Sequence, residues 1–431
     1  MNTTSSSRPW QLPDGIDELL PGDAQRVETL RRSLLDCAAV WGYQLVIPPM
    51  IEFTDSLLVG VGEDLDLLTF KVPDQLSGRM LGFRADITPQ VARMDAHSIG
   101  SDGPTRLCYA GTILHTRTES LASSRSPLQL GAELFGAMGL GADVEVIELM
   151  LTMMDAAGLA LDSRLTLDLG HADIFKHLVT AADVKGTVLE SQLFDALQRK
   201  SKPDLESLIR LLPNDAQGYF AKLLSLQGDE RVLEEARRSF AGIAPASFAK
   251  LGAVLGVAIG LVDALLCCAR MLTSLDAALE QLEAVIEVIK SRFPGLAVYL
   301  DLAELRGYRY HTGIVFALYS QSLGAALARG GRYDNVGAVY GRERAATGFA
   351  MDLRLMATLA QNSTESNGAI ASPKVDDPML RELVNELRKQ QETVIVTLSD
   401  EPDSRCDREL ALIDGKWTVQ ARNSASIGGD S

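Results

Sequence analysis

Gln129-Leu-Gly-Ala-Glu-Leu-Phe-Gly136 reads as a strand carrying two polar side chains. Side chains alternate across a strand, so Gln129 and Glu133, four residues apart, share a face. They either line one pocket or form the polar edge of a half-buried strand. Upstream, short strands are predicted over 43–47, 69–72, 80–84 and 105–112, the first stopped by Pro48-Pro49, which removes backbone donors. A helix is predicted over 23–41, where Val27, Leu30, Leu34, Leu35 and Ala38 recur at helical spacing before Gly42.

Downstream, from His171 to Arg292, the pattern turns helical, with helices expected over 191–200, 204–212, 228–240 and 274–290. Strand signals return over 296–302, 310–318 and 323–328, followed by a helix-like end over 349–359. A helical insertion, 171–292, inside a mostly antiparallel α+β core explains this order. Residues 1–8 are expected to be a disordered lead-in, 9–360 the core, 361–370 a polar linker, and 371–431 a small C-terminal α/β domain. That tail has a helix at 379–391 and strands at 393–398 and around Trp417, and at roughly 60 residues it is near the lower limit for independent folding.

The chain has 431 residues, 46% hydrophobic and 23% charged, which fits a folded globular protein of two or three structural units. Its net charge of -16 gives no global field toward nucleic acid or an anionic membrane. The five cysteines include no Cys-x-x-Cys pair, so neither zinc spacing nor a disulfide framework is present, and a reducing cytoplasm fits. The polar N-terminus lacks the apolar core of a secretory signal, and Asp263 and Arg270 interrupt the apolar run at 251–272, so a buried helix is expected there and no membrane contact. His97 and His171 lie beside Asp95 and Asp173, but their scattered spacing favours capping or surface roles over a metal site. No nucleophile triad, phosphate loop or dinucleotide fingerprint is visible, and no cofactor or metal is implied.

Five stretches together resemble the catalytic core of class II aminoacyl-tRNA synthetases, specifically the histidyl enzyme, and occur in the same order. They are Trp41-Gly-Tyr-Gln-Leu-Val-Ile-Pro-Pro49 with Glu52, Phe83-Arg-Ala-Asp-Ile-Thr-Pro-Gln-Val-Ala-Arg93, Gln129 to Gly136, Arg306-Gly-Tyr-Arg-Tyr-His-Thr-Gly313, and Gly330-Gly-Arg-Tyr-Asp334. The resemblance implies a six- or seven-stranded antiparallel sheet flanked by helices, dimeric through the first stretch. It also implies histidine-binding positions at Asp86, Thr88, Gln129, Glu133, Arg306, Tyr310, His311 and Tyr333. Asp86 stands where the family has glutamate, His311 where it has tyrosine, and Arg309 where it has aspartate. Carboxylates can hold an ammonium or imidazolium, and an arginine fork a carboxylate. Arg84 and Arg125 are possible phosphate ligands; together with Arg93 and Arg332 they read equally as surface or ion-paired arginines.

The departures fall on the phosphate clamps. The second family motif carries an arginine for the ATP α-phosphate, where this sequence has His115, with Arg117 at the glutamate position. The third carries an arginine for the γ-phosphate, where this sequence has Leu355, with Arg354 in the glutamate slot. Adenylate formation builds negative charge on phosphorus, and losing one fixed donor costs on the order of 10² to 10³ in rate. The tail is also smaller than the anticodon-binding domain of the family.

A synthetase-like body with altered clamps resembles the regulatory subunit that accompanies the short form of ATP phosphoribosyltransferase. This resemblance implies no catalytic residues in this chain, a short catalytic subunit and a second copy of itself as partners, histidine as effector and no tRNA. It places the chain at the opening of histidine biosynthesis. The competing reading is an active histidyl-tRNA synthetase or another aminoacylating enzyme.

Overall fold

The computed structural model describes residues 11–59, 63–118, 124–241, 259–305, 310–323, 325–360, 368–399 and 401–422. The chain divides into two compact units, Met1–Gln361 and Asn362–Ser431.

The larger unit is built on a sheet in the order β1-β5-β6-β12-β11-β10-β7-β9-β8. Its strands are β1 (Gln44–Leu45), β5 (Thr105–Thr112), β6 (Leu128–Phe135), β7 (Leu165–His171), β8 (Gln227–Gly228), β9 (Ala297–Asp301), β10 (Ile314–Ser320), β11 (Ala326–Arg332) and β12 (Ala346–Asp352). The six strands from β5 to β7 in this order pair antiparallel throughout. Outside them the sheet departs from the expected six or seven antiparallel strands, because β1 runs parallel to β5 and β9 parallel to β7. Parallel neighbours need a crossover, and for β7 and β9 it is the helical segment between them. A smaller sheet, β2-β4-β3, joins Ile51–Phe53, Met80–Phe83 and Lys71–Pro73.

Helix α1 (Pro21–Val40) buries Val27, Leu30, Leu34 and Ala38, the stripe seen in the sequence. Helix α5 (Leu140–Ala156) shows no such stripe in sequence because nearly every face is apolar and buried, Val146, Ile147, Leu149, Met150, Leu151, Met153 and Met154 among them. The helix expected over 349–359 proves to be two elements. Phe349-Ala-Met continues β12, whose faces are both covered, and such a strand reads as a continuous apolar run rather than an alternation. The helix Leu353–Leu359 then starts at Asp352, whose carboxylate accepts from the Arg354 N–H at 2.9 Å. The strand expected over 310–318 begins only at Ile314, and the short one over 43–47 shrinks to two residues. Among the described residues no helix is long and apolar enough to cross a membrane; residues 251–258 lie outside them.

The smaller unit has the sheet order β14-β13-β15-β16, from Val394–Val396, Ala369–Ser372, Cys406–Ile413 and Lys416–Ala421. Ala369 and Ile370, expected in the linker, open strand β13 instead. Ile370, Val394 and Leu410 pack with Leu380 and Val384 of the helix Pro378–Lys389. Asp377 caps that helix through the Met379 N–H at 2.8 Å and accepts the Trp417 indole N–H at 2.8 Å, tying helix to sheet.

One buried ion pair fixes the end of β11 to the start of α5. Arg332 Nε lies 3.0 Å from Asp143 Oδ2 and Nη1 lies 3.0 Å from Asp334 Oδ1, with both Arg332 and Asp143 buried. Arg332 is thus engaged by Asp143 from another element as well as by its neighbour Asp334, and removing it strands a carboxylate inside the core. Arg332→Ala is expected to cost about 3 to 5 kcal/mol in denaturant unfolding, whereas Arg26→Ala, at an exposed pair, should change the midpoint little.

Candidate functional site

Glu133 sits in the middle of β6, which is flanked by β5 and β12. In register, Glu133 faces Gly348 of β12, and Gly131 faces both Tyr109 of β5 and Ala350 of β12. These glycines are required by close approach: a methyl group at Gly348 would overlap the Glu133 carboxyl, and one at Gly131 would overlap the Tyr109 hydroxyl and lie 2.6 Å from the Phe349 carbonyl oxygen. The space that two missing side chains leave is occupied by Glu133 and the Tyr109 ring.

Three hydroxyls converge on the Glu133 carboxyl. Thr88 Oγ1 and Tyr109 OH each lie 3.0 Å from Oε1, and Tyr333 OH donates to Oε2. Thr88 and Tyr109 are themselves 3.1 Å apart. Thr88 opens helix α4 (Thr88–Met94), and its N–H donates to Asp86 Oδ1 at 3.0 Å. Gln129 completes the network: its Nε2 donates to Asp86 Oδ1 at 2.8 Å and its Oε1 accepts from the Ile87 N–H at 2.9 Å. Asp86, Thr88, Gln129, Glu133 and Tyr333 therefore come together from three separated stretches. Tyr109 joins them although spacing gave no sign of it. The signal available was Gly131, which leaves a gap between two polar residues on one strand face.

Tyr310 and His311 precede β10, with ring centroids 4.4 Å apart; Tyr310 is exposed and His311 buried. The His311 ring lies against Gly331, two residues before Tyr333. Arg306 lies outside the described residues, as does Arg309. Arg84 is buried, donating from Nε to the Thr112 carbonyl and from Nη1 to the Pro48 carbonyl, each at 2.9 Å. Arg125 donates to the carbonyls of His115 at 3.1 Å and Asp14 at 3.0 Å, and Arg93 pairs with Glu52 at 2.7 Å. His115, at the altered clamp position, is buried with Nε2 2.9 Å from the Ala85 carbonyl oxygen. Arg117 is exposed, and Arg354 is taken by Asp17 and by the Ser126 carbonyl at 3.2 Å. His171 caps the helix Ala172–Ala181 through the Asp173 N–H.

Burial dominates the electrostatics. It pushes the Glu133 carboxyl up to about 8, the neighbouring Asp86 charge adding to the shift and the three hydroxyls opposing it. Burial likewise raises the phenols of Tyr109 and Tyr333 well above their ordinary value, with Glu133 contributing to both. Elsewhere, Asp168, Asp301 and Glu304 bring carboxylate oxygens within 4.8 Å of one another, but Asp301 already pairs with Lys200 and accepts the Ala303 N–H.

The family model for histidyl-tRNA synthetase matches residues 15–257 and 247–356. The model described as "ATP phosphoribosyltransferase subunit HisZ C-terminal domain" matches residues 367–420. The chain is 45% identical over 416 residues to an ATP phosphoribosyltransferase regulatory subunit from Pseudomonas fluorescens strain Pf-5, covering 95% of this chain and 97% of that one. It is 44% identical over 415 residues to the protein of that name from Pseudomonas aeruginosa strain LESB58, with the same coverage. Among solved structures, an ATP phosphoribosyltransferase regulatory subunit/histidyl-tRNA synthetase from Bacillus halodurans C superposes with a TM-score of 0.73 at 25% identity, covering 92% of this chain and 94% of that one. Histidyl-tRNA synthetase from Nostoc sp. PCC 7120 shares the fold, with a TM-score of 0.68 at 14% identity over 96% of this chain and 97% of that one.

The shifted carboxyl makes stability depend on pH. Between the ordinary value of 4.5 and about 8 the folded form holds a proton that the unfolded form has lost. Glu133 therefore contributes stability that is fully present below pH 4.5 and is lost as pH climbs through about 8. Glu133→Gln, which keeps the shape without the titration, should show a shallower fall in unfolding free energy across that interval; parallel curves would contradict the shift.

Proposed function

From the premise that the chain belongs to the ATP phosphoribosyltransferase regulatory subunits, built on the histidyl-tRNA synthetase fold, we propose that it binds histidine in the pocket around Glu133 and passes that signal to a catalytic partner. Regulatory membership gives the chain a non-catalytic role. The partner is the short catalytic subunit of ATP phosphoribosyltransferase, which this chain activates and through which histidine inhibits. The complex works in the cytoplasm, with the synthetase-like core pairing to a second copy.

The observation that carries this reading is the contrast inside one cleft. Asp86, Thr88, Gln129, Glu133 and Tyr333 form a closed polar network suited to a small amino acid. The positions that grip phosphates in synthetases hold His115, bonded to a backbone carbonyl, and Leu355. Such a cleft supports binding without adenylate formation, because no guanidinium stands at either position to stabilise the charged phosphorus.

Regulation then follows from linkage. Histidine shifts the assembly only by the difference in its affinity for the active and inhibited arrangements, with couplings of about 1 to 3 kcal/mol being typical. Glu133→Ala or Arg306→Ala, assayed as partner activity against histidine concentration, should shift inhibition at least tenfold to higher histidine while activation by the subunit persists. An unchanged inhibition curve would refute the pocket assignment. Histidine-dependent pyrophosphate exchange at enzymatic rates would instead return the chain to the aminoacylating enzymes.

A further inference from the structure

Resting on the reading of the chain as a histidine-binding regulator, we propose that Lys176 is a positioning residue: it docks the segment carrying Tyr310 and His311 onto the helical segment, and through this dock the binding of histidine is felt by those helices.

The dock exists because the sheet stops short. Strands β7 and β10 pair as far as His171 and Ile314, where β7 turns into helix α6 (Ala172–Ala181). Beyond that pair the backbone before Ile314 takes its hydrogen bonds from the start of α6 and from β11. The Ala172 N–H donates to the Gly313 carbonyl at 2.9 Å, and the Thr312 N–H donates to the Arg332 carbonyl at 2.7 Å. One residue further out, the His311 carbonyl accepts from the Lys176 ammonium at 2.7 Å. Asp173, three residues earlier on α6, accepts from the same ammonium at 3.2 Å and so aims the lysine at the carbonyl. A charged donor makes this bond stronger than one between neutral groups.

The dock has two sides. On one, the His311 ring is buried against Gly331, and the Thr312 hydroxyl donates to Asp334 at 2.9 Å while the Asp334 N–H donates back to it at 3.0 Å. A shift of this segment therefore pulls on the residues that flank Tyr333. On the other side α6 joins the helical segment together. Its Phe175 meets Phe220 of the helix Asn214–Leu223 edge to face, with ring centroids 6.2 Å apart. His171, which caps α6, places Nε2 at 3.1 Å from Gln281 Oε1 of the long helix Ile259–Arg292. Lys176 and Asp173 are both half-buried, so the ammonium can exchange the carbonyl for water without becoming a buried orphan. A latch with two positions requires that freedom. Whatever favours one placement of the His311 segment then favours, by linkage, one arrangement of the helices that hold it.

The test is hydrogen–deuterium exchange of the full-length protein with and without saturating histidine, for the wild type, Lys176→Met and Lys176→Arg, with calorimetry reporting affinity. In the wild type, histidine should slow exchange from Tyr310 to Gly313 and also in α6 and the helix Asn214–Leu223. Lys176→Met keeps the length of the side chain and loses the donor. It should bind histidine about tenfold more weakly, exchange faster from Tyr310 to Gly313 without ligand, and leave both helices unresponsive at saturation, with an unchanged circular dichroism spectrum. Lys176→Arg, which keeps a charged donor, should retain the helical response. A merely structural lysine would alter exchange in the free protein and leave the response to histidine in place.

Equal helical responses in the wild type and Lys176→Met, or bound histidine with no helical response in the wild type, would overturn the transmission and leave the histidine site standing. If the wild-type protein binds no histidine in the calorimeter, the site reading fails and the transmission with it.

Discussion

A carboxyl group in the interior of a protein must be matched by a cation, by hydroxyl donors or by a proton, and around Glu133 the fold supplies hydroxyls. Thr88, Tyr109 and Tyr333 reach it from a helix start, a neighbouring strand and a strand end. Each element must keep its register for the group to be satisfied. A slip of one residue in β6 would turn Glu133 to the opposite face and leave three donors without their acceptor. The pocket is thus specified by the same constraint that specifies the sheet.

The rest of the larger unit supports that register. Gly131 and Gly348 let a tyrosine ring and a carboxyl lie flat against neighbouring strands, and Arg332 with Asp143 pins the strand that delivers Tyr333. Arg84 links the segment before α4 to the Thr112 and Pro48 carbonyls, so a cationic side chain acts here as backbone mortar. Around Glu133 the side chains hold one another in a closed polar network, and His115 and Leu355 bring no guanidinium.

Much of this order is visible in the amino-acid sequence where one periodicity dominates. The stripe of α1 announces its element, and the shared face of Gln129 and Glu133 follows from a period of two. Elements covered on every side carry no such period. Helix α5 and strand β12 are apolar all round, so α5 gives no amphipathic signature and β12 resembles the start of the helix that follows it. Asp86, Thr88 and Tyr333 enter through motif resemblance rather than spacing, because their convergence is a tertiary event. Tyr109 escapes both routes: on a buried strand its ring reads as core, and only the fold reveals what its hydroxyl touches.

The strand order carries a consequence for how the chain is made. β6 ends at Phe135, while its partner β12 begins at Ala346, and β7 ends at His171, long before β9 and β10 exist. During synthesis the open edges of β6 and β7 therefore wait through the whole helical segment, exposing unpaired backbone to any other nascent strand. The helices that emerge in the interval can pack locally first. The sheet's central seam closes last, so the hydroxyl cage around the buried acid is completed only as the final third of the polypeptide leaves the ribosome.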